Sequence, residues 1–233
     1  MKTKLFLVAG MLIAAIATGQ NRMLNEIVVV SPAFKGENQK SINDYLQKKV
    51  DYPAEASIWK HQGTEVVQFV VTPEGELIDF KVINSVSYEI DKEVISTLKS
   101  TSGKWIPGTK NGEPVAMETE VSMAFKLNPK DNFVQMAKWN FQTGTELLFT
   151  KNQPKKALKY FDWAINFLPN DETLLAMRGI CKYKMGDENG ATIDLDRSDI
   201  LAQRKGTTVN FGSFAKNPEN LQYIEKMMLS VGK

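Results

Sequence analysis

A single histidine, a single cysteine and one close pair of aspartates are the first candidates for chemistry in this 233-residue chain. Metal binding or acid–base catalysis needs several such groups converging on one site. His61 has no neighbouring cysteine and no carboxylate at metal-site spacing, so we predict a loop histidine. Cys181 cannot form an intrachain disulfide, and we predict a small buried apolar residue. Asp194 and Asp196 lie two residues apart, so they point to different faces of a helix, and we predict that both are solvated. The sequence therefore predicts no enzyme, no metal site and no cofactor.

The elements that could position a binding site begin after an N-terminal segment typical of an export signal. Lys2 and Lys4 precede an apolar run over residues 5–17, and small residues before Gln20 fit a cleavage site. As a helix this run rises about 20 Å, short of the roughly 30 Å hydrocarbon core of a membrane. We predict cleavage of residues 1–19 and an exported, soluble product. The alternative is a retained N-terminal anchor, and membrane contact is expected only in that case.

The charge balance argues against a nucleic-acid partner. Loss of Lys2 and Lys4 would leave 27 basic and 27 acidic residues. Nucleic-acid binding requires a clustered basic face. Lys155, Lys156 and Lys159 form too small a group, which we interpret as a solvated helix face.

Residues 20–127 show the pattern of a small antiparallel sheet with helices on one face. Ser41 and Asp44 have the spacing of a capping box and predict a helix start. Two alternating runs flank a turn at residues 73–75, which indicates a hairpin. Apolar residues at helical spacing follow, and a last alternating run, residues 120–127, completes the sheet. The predicted fold class is therefore α+β.

A series of motifs runs through residues 27–127 in a fixed order. They are Pro32-Ala33-Phe34-Lys35-Gly36, Tyr52-Pro53, Gly63, Gly75, Ile90-Asp91-Lys92-Glu93, Trp105-x-Pro107-Gly108, Gly112-x-Pro114-Val115 and Phe125. The ordered series resembles the C-terminal domain of TonB, the periplasmic energy transducer. The resemblance covers under half of the chain.

The resemblance implies a protein-binding module of the periplasm. In that family an extended peptide of an outer-membrane transporter pairs with the edge of this sheet. An edge strand offers unpaired N–H and C=O groups to such a peptide. By analogy the last strand is the predicted edge, with Val121, Phe125 and Trp105 in the core. The predicted partner-binding positions are Glu120, Ser122, Ala124 and Lys126.

The chain departs from the family in the segment before the sheet. A transducer needs a membrane anchor and a long proline-rich rod to cross the periplasm. Here about 20 residues with one proline, Pro32, separate the predicted cleavage site from Ser41. Our leading hypothesis is a periplasmic adaptor that binds an envelope protein or transporter peptide. The alternative is a membrane-tethered energy transducer with an uncleaved N-terminus.

Residues 128–233 show a period of 34 residues, which is typical of helical-hairpin repeats. Residues 138–171 and 172–205 resemble tetratricopeptide repeats, with turns at Gln153-Pro154 and Gly186-Asp187. Residues predicted to pack between the helices are Ala157, Phe161, Trp163, Ala164, Gly179 and Ala191. Two repeats bury their faces poorly, so a final helix from Asn217 is predicted to cover the second one. The alternative is that this tail binds a partner. The repeats would form a second interaction surface or a scaffold.

Overall fold

The computed structural model describes residues 27–36 and 41–206. The predicted export signal and the predicted final helix lie outside the described residues. Within them, an antiparallel sheet region is followed by a helical region, which confirms the predicted fold class.

Eight strands form three sheets in the described part of the chain. They are β1 Val29–Val30, β2 Ala33–Phe34, β3 Gly63–Val71, β4 Leu77–Asn84, β5 Trp105–Ile106, β6 Gly108–Lys110, β7 Glu113–Val115 and β8 Met117–Phe125. The central sheet has the order β4-β3-β8, and all of its pairings are antiparallel. Two small sheets, β1-β6-β7 and β2-β5, accompany it. The last strand therefore begins and ends earlier than the predicted residues 120–127.

Seven α-helices complete the described structure. They are α1 Ile42–Lys49, α2 Ala54–Ile58, α3 Tyr88–Lys99, α4 Phe133–Thr145, α5 Pro154–Phe167, α6 Glu172–Lys184 and α7 Glu188–Arg204. A π-helical turn, Glu146–Thr150, extends α4. None of the helices in residues 27–36 and 41–206 is long and apolar enough to cross a membrane.

Local sequence signals explain most of these helix ends. The Ser41 hydroxyl accepts a hydrogen bond from the Asp44 N–H (3.1 Å) and caps α1. The Asp187 carboxylate caps α7 through the Gly190 N–H (2.9 Å). Such caps satisfy N–H groups that have no partner within the helix. The short helix α2 has no side-chain cap, and the sequence analysis missed it.

One face of the central sheet packs against α1 and α3. The buried side chains of this core come from α1 and the residue after it, from α2, α3 and β5, and from the inward positions of β3, β4 and β8. They are Leu46, Val50, Ala56, Val67, Phe69, Val71, Leu77, Ile90, Val94, Leu98, Trp105, Val121 and Phe125. Val121, Phe125 and Trp105 therefore lie in the core, as the sequence predicts.

The helices of the C-terminal half form two antiparallel hairpins, α4–α5 and α6–α7. The first turn precedes Pro154, the first residue of α5, and the second contains Gly186 with φ +82°. Both turns lie where the sequence predicts them. The predicted packing residues Ala157, Phe161, Ala164, Gly179 and Ala191 are all buried. Trp163 is 51% exposed, so its predicted core position is wrong; assignment to the tetratricopeptide family stays a prediction.

The helical region covers the second face of the central sheet. Thr64 Oγ1 on β3 donates a hydrogen bond to the Phe167 carbonyl at the end of α5 (2.7 Å). Asn166 Nδ2 donates to the Gln62 carbonyl just before β3 (2.8 Å). Val66, which points to this face, is completely buried. The sheet therefore lies between two helical layers.

Gly63 sets how closely α5 approaches β3, and we expect Gly63→Ala to weaken this contact. A Cβ at residue 63 would lie 2.5 Å from Asn166 Oδ1, too close for two non-bonded atoms. We expect the free energy of unfolding to fall by about 1–2 kcal/mol. Chemical denaturation would measure the change.

Asn166→Ala provides the control for this prediction. Alone it removes the hydrogen bond to Gln62 and should cost about 1 kcal/mol. In combination with Gly63→Ala it also removes the clash, so the double variant should lose less than the sum of the two. Strict additivity would contradict a direct contact.

Candidate functional site

The strand β8 forms one edge of the central sheet in the described part of the chain. Its nine residues pair in unbroken antiparallel register with β3, from Gly63 opposite Phe125 to Val71 opposite Met117. No strand of the described residues pairs with its other side. β8 is thus a long, regular edge strand.

A side-chain contact on the opposite flank fixes which backbone groups of β8 point outward. The Thr64 carbonyl accepts a hydrogen bond from Asn84 Nδ2 on the β4 side (2.8 Å). The N–H and C=O of one antiparallel strand residue point to the same side. Thr64 therefore directs its backbone groups away from β8, and its partner Ala124 directs its own toward the open edge. Because this direction alternates from residue to residue along the strand, the backbone N–H and C=O groups of Glu118, Glu120 and Ser122 also point to the open edge.

The opposite edge strand, β4, is irregular. Its pairing with β3 shifts register between Val66 and Val67, and again between Gln68 and Val70. Asp79 in this strand has a positive φ of 54°. Bulges of this kind disrupt the ladder and are a common protection of sheet edges. Of the two edges, β8 is the one suited to pair with another strand.

The side chains on the outer face of β8 are held by the helical region. Glu120 Oε1 lies 3.3 Å from Arg204 Nη1, and Asn170 Nδ2 donates to the same oxygen (3.2 Å). Asn170 Nδ2 also lies 3.2 Å from Ser122 Oγ. Two of the predicted partner-binding side chains are therefore engaged within the chain. The sequence analysis missed these contacts, since residues about 50 positions apart give no local signal.

Ala124 and Lys126 lie at the other end of the candidate site. Ala124 is exposed. Lys126 follows the strand, and its ammonium group lies 5.2 Å from the centre of the Phe133 ring at the start of α4. At this end residue 124 is exposed, and no strand of the described residues pairs with the outer side of the backbone.

The remaining motif residues support the strands instead of facing a ligand. Trp105 is 7% exposed, and its indole N–H donates to Thr101 Oγ1 (3.0 Å). The Tyr52 ring packs edge-on against Phe125 with centroids 5.6 Å apart. Gly75 has φ +82°, and a Cβ there would lie 2.4 Å from the Trp105 carbonyl. Pro53 immediately precedes α2, Pro107 joins β5 to β6, and Gly108 begins β6.

The residues considered as candidates for chemistry, His61, Cys181 and Asp194, lie in three different environments. His61 lies in an exposed loop, and its carbonyl accepts a hydrogen bond from the Tyr52 hydroxyl. Cys181 is buried, and burial raises the pKa of its thiol to about 11, which leaves it protonated and inert. The sequence predicts a loop histidine and a buried cysteine, and the structure shows both. Asp194 is buried in an ion pair with Arg178 (2.7 Å), so its predicted solvation is wrong. No three His, Cys, Asp or Glu side chains of the described residues are grouped as metal ligands.

Comparison with known families supports this view of the sheet region. Residues 48–127 match the family model described as Gram-negative bacterial TonB protein C-terminal, about a third of the chain. The match includes β3, β4, α3 and β8, and it confirms the predicted resemblance over these residues.

A comparison with solved structures finds a protein that is similar to part of this chain. The NMR solution structure of the Helicobacter pylori TonB C-terminal domain shares 22% sequence identity with this chain. The alignment covers 39% of this chain and 92% of that one, with a TM-score of 0.30. No curated protein matches the chain significantly.

Proposed function

We propose that this protein is an envelope adaptor that binds an extended peptide at the β8 edge as a fourth strand of the central sheet. The observation that carries the proposal is the unbroken β8 register on one side, with no strand on the other side within the described residues. Main-chain pairing of this kind places little demand on the sequence of the peptide. Such a module acts by binding, and we propose no catalytic role for it.

The surroundings of β8 favour a short peptide segment over a second folded sheet. A cavity of about 270 Å³ lies beside Ser122 and is lined by Thr64, residues 167–171 and Lys205. A peptide strand next to β8 would direct every second side chain to the face on which this cavity lies, so the side chain beside Ser122 would be the one to enter it. Specificity would then come from one side-chain pocket and affinity from the backbone.

The family match suggests the source of the peptide. In the TonB family the sheet edge receives a segment of an outer-membrane transporter, so a transporter or another envelope protein is the proposed partner. The proposed location is the periplasm, after removal of residues 1–19.

A membrane-tethered energy transducer is the second candidate, because the matched family is named after the TonB protein. The two candidates differ in the mature N-terminus. Edman or mass-spectrometric detection of Gln20 as the first residue would favour the adaptor. Retention of Met1 or Lys2 would favour the transducer.

Ala124→Pro tests pairing at the edge. Because the Ala124 N–H points away from β3, proline there removes one outward donor without breaking the β3–β8 ladder. We expect binding of the envelope partner to weaken about tenfold or more, since a backbone hydrogen bond is lost and the ring hinders the incoming strand. Quantitative pulldown from envelope extracts would compare this variant with Ala124→Val, which keeps the N–H.

Amide exchange on the wild-type chain provides an independent readout. In the free protein the amides of Glu118, Glu120, Ser122 and Ala124 should exchange faster than those of the intervening residues. A bound peptide should protect the fast set alone. Equal binding by the proline and valine variants, with no new protection on β8, would contradict edge pairing.

A further inference from the structure

The outer surface of the α4–α5 hairpin carries two half-exposed indole rings, Trp139 on α4 and Trp163 on α5. They are 57% and 51% exposed. The Tyr160 ring lies between them, with centroids 5.9 Å from Trp139 and 5.1 Å from Trp163, both in edge-to-face arrangement. Mutual packing holds the three rings in place while half of each indole stays uncovered. We call these three rings the aromatic patch.

Three lysines of α5 lie beside the aromatic patch. Lys156 and Lys159 precede Trp163 by seven and four residues, so both share its face of the helix. Lys155 lies one turn before Lys159. All three are exposed, and none forms an ion pair with a side chain of residues 27–36 or 41–206. The patch is therefore bordered by three unpaired positive charges.

The two helices offer these lysines no carboxylate. The sequence of α4, residues 133–145, contains no aspartate or glutamate. In α5 the one acidic residue is Asp162, and its carboxylate lies 3.1 Å from Arg178 Nη1. The outer surface of the hairpin is therefore both aromatic and positively charged.

The lysine cluster is unfavourable for the isolated helix. Lys155 and Lys156 directly follow Pro154, the first residue of α5, at the end where the helix dipole favours anions. By contrast, α1, α3, α6 and α7 each carry an acidic residue in the first turn. Lys159 lies three and four residues from the other two lysines, a spacing at which like charges repel each other. A negatively charged surface outside the protein would offset both effects.

This combination of side chains matches the surface of an anionic lipid bilayer. Tryptophan and tyrosine rings concentrate where the hydrocarbon core meets the headgroups. Lysine stems extend along apolar surface while their ammonium groups reach anionic headgroups. A nucleic acid requires a larger clustered basic face, and a purely acidic peptide would pair with the lysines but leave the indoles exposed.

We propose that the outer surface of the α4–α5 hairpin binds peripherally to a bilayer with anionic headgroups. Trp139 and Trp163 enter the interface, and the three lysines lie beside lipid phosphates. This surface shares no residue with the β8 edge, so membrane and peptide are held by different elements. It adds a second route to membrane contact, which the sequence analysis connects only with a retained N-terminus.

Tryptophan quenching of the full chain by lipid vesicles tests the proposal. The vesicles contain phosphatidylglycerol and a phosphatidylcholine that is brominated on its acyl chains, so they quench indoles that enter the bilayer. We expect quenching by these vesicles and little by brominated phosphatidylcholine alone. An inserted N-terminus would hold the chain on both kinds of vesicle, so ring quenching and its dependence on anionic lipid are the readouts.

Two sets of variants assign the quenching to the hairpin. Trp139→Phe combined with Trp163→Phe should remove most of it. Lys155→Gln, Lys156→Gln and Lys159→Gln together should weaken the interaction with anionic vesicles about 100-fold, which is about fivefold for each lysine. Circular dichroism would check that both variants remain folded.

A matched control removes the same charge from the sheet region. Lys48, Lys49 and Lys110 are exposed, and their combined replacement by glutamine should leave quenching within about twofold of the wild type, because surface charges far from the bilayer are screened. Trp59→Phe should also keep the wild-type quenching, since Trp59 is 74% exposed but lies outside the hairpin. The proposal is overturned by absence of quenching in anionic vesicles, by equal losses in the two lysine triples, or by binding of polyglutamate or an oligonucleotide without vesicle binding.

Discussion

Replacing Asp194 by alanine is expected to lower the free energy of unfolding by about 3 kcal/mol, because it leaves the mostly buried Lys182 without its anion and Arg178 with only the half-exposed Asp162. The Asp194 side chain is 3% exposed, and its carboxylate accepts from Arg178 Nε (2.8 Å) and Nη2 (2.7 Å). Lys182 Nζ lies 2.8 Å from the same carboxylate. Burial lowers the pKa of Arg178, but its hydrogen bonds and charge attraction to Asp194 and Asp162 outweigh that effect, so this pKa is raised. Chemical denaturation would measure the loss.

Two further variants separate charge pairing from packing. Asp194→Leu combined with Arg178→Met and Lys182→Met removes the anion and both cations and should recover much of the stability, since apolar replacements avoid unpaired buried charge. Glu146→Ala breaks a pair with Lys151 in which both side chains are about half exposed. That control should change stability by less than about 1 kcal/mol. An equal effect of Asp194→Ala and Glu146→Ala would contradict the role of burial.

Glu65 is expected to make the sheet region less stable as the pH rises. Its side chain is 1% exposed, and burial raises its pKa from 4.5 to about 8, the Val86 hydrogen bond opposing and the Asp91 carboxylate adding to the shift. The folded protein thus keeps a proton that the unfolded chain releases above pH 4.5. The stabilisation is fully present below that pH and is lost as the pH rises toward 8. The slope is about 1.4 kcal/mol per pH unit.

Glu65→Gln should remove this pH dependence. Glutamine cannot ionise, but it can still accept the hydrogen bond that the Val86 N–H donates to Glu65 Oε2 (2.9 Å). Denaturation curves at several pH values should show similar stability for both proteins near pH 5, and a growing advantage of the variant up to pH 8. Glu74→Gln, in the exposed turn between β3 and β4, is the control and should follow the wild type. Parallel curves for wild type and Glu65→Gln would refute the prediction.

Local patterns made the sheet region predictable from the sequence. The turn with Gly75, the cap at Ser41 and the alternation of β3 are short-range signals, and the structure contains all three. The β8 edge could be predicted because its position followed from the ordered motifs. The β4 bulges could not be predicted, because they bring Leu77 and Phe80, three residues apart, to the core and leave Ile78 43% exposed, which a regular two-residue alternation does not indicate.

The position of the helical region depends on long-range contacts that no local pattern indicates. The bonds from Thr64 to Phe167 and from Asn166 to Gln62 join residues more than 100 positions apart. One signal was present in β3, where the face opposite the core carries Val66. An apolar side chain on a face expected to meet water indicates a covering layer. Trp163 is the converse case, since the sequence predicts it in the core but the residue is 51% exposed.

The contrast between the two flanks of the central sheet limits how copies of this protein can associate. A sheet with two regular edge strands can add further molecules at both edges indefinitely, as in fibrils. Of the two edge strands described here, β4 pairs with β3 through register shifts, whereas β8 pairs with β3 without interruption. Two β8 strands that paired antiparallel would be related by a twofold axis and would use the pairing capacity of both molecules. Growth would stop at that point, so association through the sheet edges would be limited to closed pairs and would not extend into filaments.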